Sequence, residues 1–165
     1  MSERLTGLPP VLGAGTRLLV LGSFPCARSL AQQQYYGHPQ NQFWKILSTL
    51  WQCDLVALAY PDRLQQLQQR GLGLWDVYAS CERQGSLDSA IRNPQVNDLA
   101  SLRQRCPSLC AIAHNGGESF RHARHTQALG LPVWRLPSTS PANASQTLAH
   151  KLAAWREAFE AAGLL

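Results

Sequence analysis

Four short apolar runs punctuate the chain: Leu18 to Leu21, Leu72 to Val77, Leu109 to Ala113 and Val133 to Leu136. Each is too short for a buried helix and is bounded by glycine, proline or polar residues, which reads as strands covered on both faces. Between them the apolar positions change to helical spacing. Phe43, Ile46, Leu47 and Leu50 share one helix face, and Leu64 and Leu67 share another after Pro61-Asp62. Leu99 and Leu102 follow Asn97 as a candidate cap, and Phe120 and Ala123 follow a Gly116-Gly117 turn. The last helix carries Leu148, Leu152, Trp155 and Phe159 as an apolar stripe, with Ser145 as its expected cap and Gly163 as its stop. Strands alternating with crossover helices predict an α/β fold, a three-layer sandwich around a four-stranded parallel sheet.

The 165 residues suit a single domain over 1–165 whose core needs no metal or disulfide staple. Hydrophobic residues at 45% argue against disorder, although only 15% of residues are charged. A net charge of +5 favours a polyanionic partner but also serves ordinary solubility. No apolar run reaches membrane-span length, and Met1 to Leu5 shows no signal-peptide core, so a soluble, cytoplasmic protein without a membrane partner is expected. Cys26, Cys53, Cys81, Cys106 and Cys110 form no C-x-x-C pair and are expected as free thiols. Cys106, Cys110 and His114 are spaced by four, but Pro107 and the apolar run break any shared helix face, so no metal site is expected.

Parallel strands gather their carboxyl-terminal turns at one edge, where ligands bind in open α/β sheets. Those turns are Gly22 to Pro25, Tyr78 to Asp88, His114 to Gly117 and Pro137 to Asn143, rich in Ser, Asn, His and Gly. No phosphate loop, dinucleotide fingerprint or hydrolase elbow occurs. Ser23, Ser138 and Ser140 could be nucleophiles beside His38 or His114, but serine serves more often in turns. Asp76 and Asp88 are possible general bases, and Asp88 equally fits a turn cap. The loop Leu136 to Asn143, stiffened by two prolines, could donate from Ser and Thr to phosphates and offer an apolar tip to a groove. Tyr35 to Trp44 concentrates aromatic, amide and imidazole groups in ten residues with hardly an aliphatic, so it cannot be mainly core.

Taken in order, Gly22-Ser23-Phe24-Pro25, Gln34-Tyr35-Tyr36-Gly37-His38-Pro39, Asn41-Gln42-Phe43-Trp44, Gly73 to Val77, Gly85 to Ile91, His114-Asn115-Gly116 and Leu136 to Ala142 carry a resemblance. The chain resembles the hypoxanthine-DNA glycosylase branch of the uracil-DNA glycosylase superfamily. The resemblance implies a monomer without cofactor or metal that removes a deaminated base, foremost hypoxanthine, from double- or single-stranded DNA in the cytoplasm, at the nucleoid in a bacterium. It implies Asn41 as the water-positioning amide, because Ser23 stands where related enzymes carry a carboxylate or amide, and Asn115 as a second catalytic amide. On a glycosylase reading Gly22, Ser23, Phe24, Tyr35, Tyr36 and Phe43 are expected around the base, and Ser138, Thr139, Ser140 and Asn143 against the DNA. Trp44 is read as a helix anchor and His38 as a loop-fixing residue or a base contact. The family's first turn has glycine where this chain has Cys26, which would strain the turn if it requires positive φ. The alternatives are a uracil or mismatch glycosylase, a non-catalytic damaged-DNA binding module, and a small-molecule hydrolase at the same edge.

Overall fold

The four apolar runs become strands of one sheet in the computed structural model, which describes residues 3–165. Met1 and Ser2, which open both the domain expected over 1–165 and the stretch read as lacking a signal-peptide core, lie outside the described residues. In chain order the elements are β1 (Arg4–Thr6), β2 (Leu18–Gly22), α1 (Ala27–Gln32), α2 (Phe43–Trp51), α3 (Tyr60–Arg70), β3 (Leu72–Asp76) and β4 (Tyr78–Glu82). There follow β5 (Arg92–Val96), α4 (Leu102–Arg105), β6 (Ala111–Asn115), α5 (Gly117–Phe120), α6 (Ala123–Gln127), β7 (Val133–Leu136) and α7 (Leu148–Ala161). No helix among the described residues is long and apolar enough to cross a membrane.

The main sheet runs β3-β2-β6-β7, all parallel. Its first strand, β2, lies inside, with β3 on one side and β6 on the other. The chain therefore reverses direction across the sheet there, and such a reversal opens a crevice at the strands' carboxyl ends. Side chains alternate between two cores. Leu18, Val20, Leu72, Leu74, Ala111 and Ala113 pack with α2, α3 and α7. Leu19, Leu21, Trp75 and Ile112 pack with Leu99, Leu102, Cys106 and Leu109 on the opposite face. Strands buried on both faces explain why the sequence shows continuous apolar runs.

The helix stripe of Phe43, Ile46, Leu47 and Leu50 is buried as expected. Two helix starts differ from the sequence reading. Thr147, not Ser145, caps α7 by accepting the His150 N–H, and Leu148 at its first position remains 40% exposed. Asn97 caps no helix; its Nδ2 donates to the Asp76 carbonyl at 2.8 Å, and a 3-10 turn (Leu99–Ser101) begins after Asp98.

A second sheet, β1-β4-β5, is antiparallel and was invisible as strands. Tyr78 to Asp88 reads as a loop because Tyr-Ala-Ser-Cys-Glu has no apolar run. Its partner β5 is exposed throughout. Pro94 within β5 withholds a backbone donor, as suits an edge strand.

Lys151 is 98% buried in α7 and has no carboxylate partner among the described residues. Its Nζ donates to Gln42 Oε1 at 2.8 Å and to the Asn143 carbonyl at 3.0 Å, tying α7 to the start of α2 and to the loop after β7. Lys151→Met leaves two part-buried acceptors without their ammonium donor and should lower the unfolding free energy by about 1 to 3 kcal/mol. Urea denaturation measures this, and an unchanged midpoint would show that the clamp is not structural.

Candidate active site

A cleft of about 390 Å³ opens at the carboxyl edge of the parallel strands. The turn after β2 supplies Gly22 to Cys26, the loop after β4 supplies Ser86 to Ser89, the end of β6 supplies Asn115, and the loop after β7 supplies Ser138 to Ser140. Tyr36, His38 and Asn41 enter from the segment before α2, and Asp76 from the end of β3. The four turns expected at one edge do converge.

The parallel register sets Gly22 beside Asp76. A Cβ on Gly22 would lie 2.5 Å from Asp76 Oδ1 and 3.4 Å from the Tyr36 hydroxyl, so only glycine leaves room for the carboxyl. Asp76 is 5% exposed, and its Oδ2 has no hydrogen-bond partner among the described residues. Desolvation raises its pKa from 3.8 to about 7; the Asp88 charge adds to the rise and Arg83 opposes it. Arg83 is itself buried, donating Nη2 to the Pro25 carbonyl at 2.6 Å and lying over the Phe24 ring, while Nε and Nη1 find no partner. A buried carboxyl and a buried guanidinium thus flank the first turn without meeting as an ion pair among the described residues.

Asn115 spends its whole amide on neighbours. Oδ1 accepts the Thr139 N–H at 3.1 Å, while Nδ2 donates to Thr139 Oγ1 at 3.0 Å and to the Tyr36 hydroxyl at 3.2 Å. The Thr139 N–H fixes which end of the amide is the acceptor. Tyr36 is held at φ 55, a left-handed conformation that costs a bulky residue on the order of 1 to 3 kcal/mol. Its ring lies 4.1 Å from that of Phe43, and burial raises its phenol pKa, so the hydroxyl stays neutral. Asn41 Oδ1 accepts the Phe43 N–H at 3.0 Å at the start of α2, and its Nδ2 has no partner among the described residues. His38 Nδ1 accepts the Gln40 N–H at 3.1 Å, leaving Nε2 as the nitrogen able to donate.

Several expected contacts lie elsewhere. Phe43 is fully buried beneath Tyr36 and does not line the cleft, because its position opens the core face of α2. Tyr35 lines the cleft but is 3% exposed; its hydroxyl donates to the Pro9 carbonyl, and its own carbonyl accepts the Trp44 indole N–H. Trp44 is core, as read. Thr139 is fully buried as the Asn115 partner, and its carbonyl accepts the Gln42 N–H, so it has no face for DNA. Asn143 donates Nδ2 to the Ser138 carbonyl and to Gln146 Oε1, which makes it a brace of its loop. Ser138 and Ser140 accept backbone N–H groups two residues on, which leaves each hydroxyl proton able to reach a phosphate.

No serine hydroxyl of the cleft is hydrogen-bonded to His38 or His114 among the described residues, so the serine-nucleophile reading finds no support. Ser23 donates to Asp88 Oδ1 at 2.7 Å, and His114 is fully buried between Ser119 and Thr126, at 2.8 Å from each. Burial lowers the His114 pKa from 6.5 to about 4. Cys26 causes no strain: its φ is −69, and its sulfur caps α1 by accepting the Ser29 N–H. All five cysteines are free, and no three His, Cys, Asp or Glu side chains among the described residues could hold a metal. Arg83 had no sequence signal, because it falls in a segment read as loop, and a cation there looks like surface.

The family model of the uracil DNA glycosylase superfamily matches residues 9–159. A protein of Methanosarcina barkeri (strain Fusaro / DSM 804) named hypoxanthine DNA glycosylase is 36% identical over 93% of this chain and 97% of its own. One of the same name from Methanosarcina acetivorans is 37% identical over 83% of this chain and 87% of its own. The solution NMR structure of a candidate uracil DNA glycosylase from Methanosarcina acetivorans superposes with a TM-score of 0.88 at 33% identity, covering 97% of this chain and 99% of that one.

The Asp76 shift has a signed consequence. The unfolded carboxyl titrates near 3.8 and the folded one near 7, so the folded chain holds an extra proton in that window and stability falls as pH rises through it. Asp76→Asn removes the buried charge. The variant should exceed the wild type by roughly 2 to 4 kcal/mol at about pH 8, converging below about pH 4. Equal urea midpoints at the higher pH would mean that the charge is not buried.

Proposed function

The chain belongs to the uracil DNA glycosylase superfamily, and from that membership and the cleft we propose that it is a DNA repair glycosylase. It hydrolyses the N-glycosidic bond of hypoxanthine in DNA and leaves an abasic site. The names of the two relatives, hypoxanthine DNA glycosylase, carry the choice of base, and it suits a desolvated carboxyl at Asp76, unpartnered among the described residues, in a cleft that also holds the unspent amide nitrogen of Asn41. Hypoxanthine presents an N1–H donor beside an O6 acceptor. A carboxyl that keeps its proton can answer both at once, accepting from N1–H and donating to O6.

The target nucleotide must leave the stack to reach the cleft, which is easiest where it is mispaired. Tyr36, stiffened from behind by Phe43, offers the ring on which the base can stack, a contact worth about 1 to 3 kcal/mol. Bond cleavage develops positive charge on the sugar and negative charge on the departing base. The base's charge grows toward the Asp76 proton and within the field of the Arg83 guanidinium. Asn41 Nδ2 holds a water on the sugar side, its Oδ1 fixed by Phe43 N–H, so the amide is oriented before substrate arrives. Asn115 acts through Tyr36 and Thr139 as a positioning residue. Ser138 and Ser140 donate to the strand's phosphates. The protein works as a monomer on duplex or single-stranded DNA.

The test uses duplexes carrying one hypoxanthine, uracil, xanthine or ethenocytosine, followed by alkaline strand scission. The hypoxanthine duplex should be cut fastest. Preference for uracil would make the chain a uracil glycosylase, and tight binding without scission would make it a damaged-DNA binding module. Asn41→Ala should stay folded, losing about 0.5 to 2 kcal/mol with its bond to the Phe43 N–H, and slow single-turnover release about 100-fold or more; a wild-type rate would remove Asn41 from the mechanism.

A further inference from the structure

Arg83, where the chain leaves β4, is 7% exposed and does not line the cleft. Its guanidinium lies 5.3 Å from the centre of the Phe24 ring, and Nη2 donates to the Pro25 carbonyl at 2.6 Å. Nε and Nη1 are buried with no partner among the described residues. An apolar side chain of similar length would fill the same space without that desolvation cost. A cation kept under such a cost points to the hydrogen bond it does make. That bond fixes a peptide plane. Across the trans bond between Pro25 and Cys26 the carbonyl and the N–H point in opposite directions. Pro25 and Cys26 both line the cleft, while the cation that holds the carbonyl lies outside it, so the Cys26 N–H turns toward the cleft. It donates to no acceptor among the described residues. The groups beside it are engaged: the Ala27 N–H donates to Ser86 Oγ at 3.0 Å, and the Ser23 hydroxyl to Asp88 Oδ1 at 2.7 Å.

We propose that Arg83 is a positioning residue for base release: by holding the Pro25 carbonyl outside the cleft, it aims the Cys26 N–H at the departing base. The inference rests on the glycosylase reading and gives a task to a side chain that touches no substrate. Negative charge grows on the base as the glycosidic bond breaks, and a backbone donor already aimed at that charge stabilises it without reorganising. Ser86 and Asp88 brace the turn on either side of this peptide, but neither touches its carbonyl. Without the guanidinium the peptide plane is free to rock, and the donor loses its aim. A cation in this place acts at a distance from the base, through the backbone it grips.

The experiment is a double-mutant cycle on single-turnover hypoxanthine release from a deoxyinosine duplex. Arg83→Met removes the cation and keeps its bulk. Cys26→Pro removes the N–H at a φ of −69, which proline adopts, and Cys26→Ala is the reference that loses the same sulfur. Arg83→Met should slow release at least about tenfold in the wild-type and Cys26→Ala backgrounds, with the duplex Kd within about threefold of its value before the change. In the Cys26→Pro background, itself at least about tenfold slower than Cys26→Ala, the same change should alter the rate by less than about twofold. Arg83→Gln, whose amide falls short of the Pro25 carbonyl, repeats the cycle if the methionine variant does not fold. A wild-type rate in the Arg83 variant, a loss confined to Kd, or equal slowing in the proline and alanine backgrounds overturns the positioning role and leaves the glycosylase standing. Failure of the wild type to release hypoxanthine overturns the glycosylase reading instead.

Discussion

A carboxyl group stripped of water and denied a counter-ion sits at the centre of the cleft, and the residues around it are placed by that fact. Gly22 gives up its side chain to make room for Asp76. Arg83 stays close enough to oppose the rise in the Asp76 pKa yet makes no ion pair, spending Nη2 on the Pro25 carbonyl. A full ion pair would lock the carboxylate in its charged form; separation keeps both groups available to a ligand. The arrangement costs stability, which is how a site retains a group that a core would discard.

The second constraint is rigidity among segments distant in sequence. Tyr36 and Asn41 precede α2, Asn115 ends β6, and Thr139 follows β7. One amide, that of Asn115, joins the first and last of these, and Lys151 with the Gln42–Thr139 backbone bond adds a parallel seam. Electrostatic catalysis depends on dipoles already aimed when the substrate arrives. Here the aim is set by part-buried hydrogen bonds that join these segments, so the loops that bear the chemistry behave as part of the scaffold.

The parallel sheet was legible because strands buried on both faces must be apolar along their whole length, and Leu18 to Leu21 or Leu72 to Val77 could hardly be anything else. The convergence of four turns then followed from topology. The antiparallel sheet was not legible: β5, with Arg92, Asn93 and Pro94, earns its pairing from β4 and carries no pattern of its own. Site residues divided by the same logic. Tyr36 and Phe43 look alike in sequence, but a helix start rotates Phe43 into the core and a positive φ turns Tyr36 to the cleft. Thr139 looks like a phosphate ligand until its hydroxyl and amide are seen to belong to Asn115. Asp76 was visible as a carboxylate, but its loss of water depends on Gly22 and on strand register, which no local reading supplies.

The central claim is that a protonated Asp76 recognises the departing base in a DNA glycosylase, and the most direct measurement is the pH dependence of single-turnover hypoxanthine release between about pH 5.5 and 8.5. The rate constant of the wild type should fall through one ionisation near the Asp76 pKa of about 7, and Asp76→Asn, which cannot ionise, should flatten that step. A wild-type profile without a step, or a step that persists unchanged in the variant, would contradict the account.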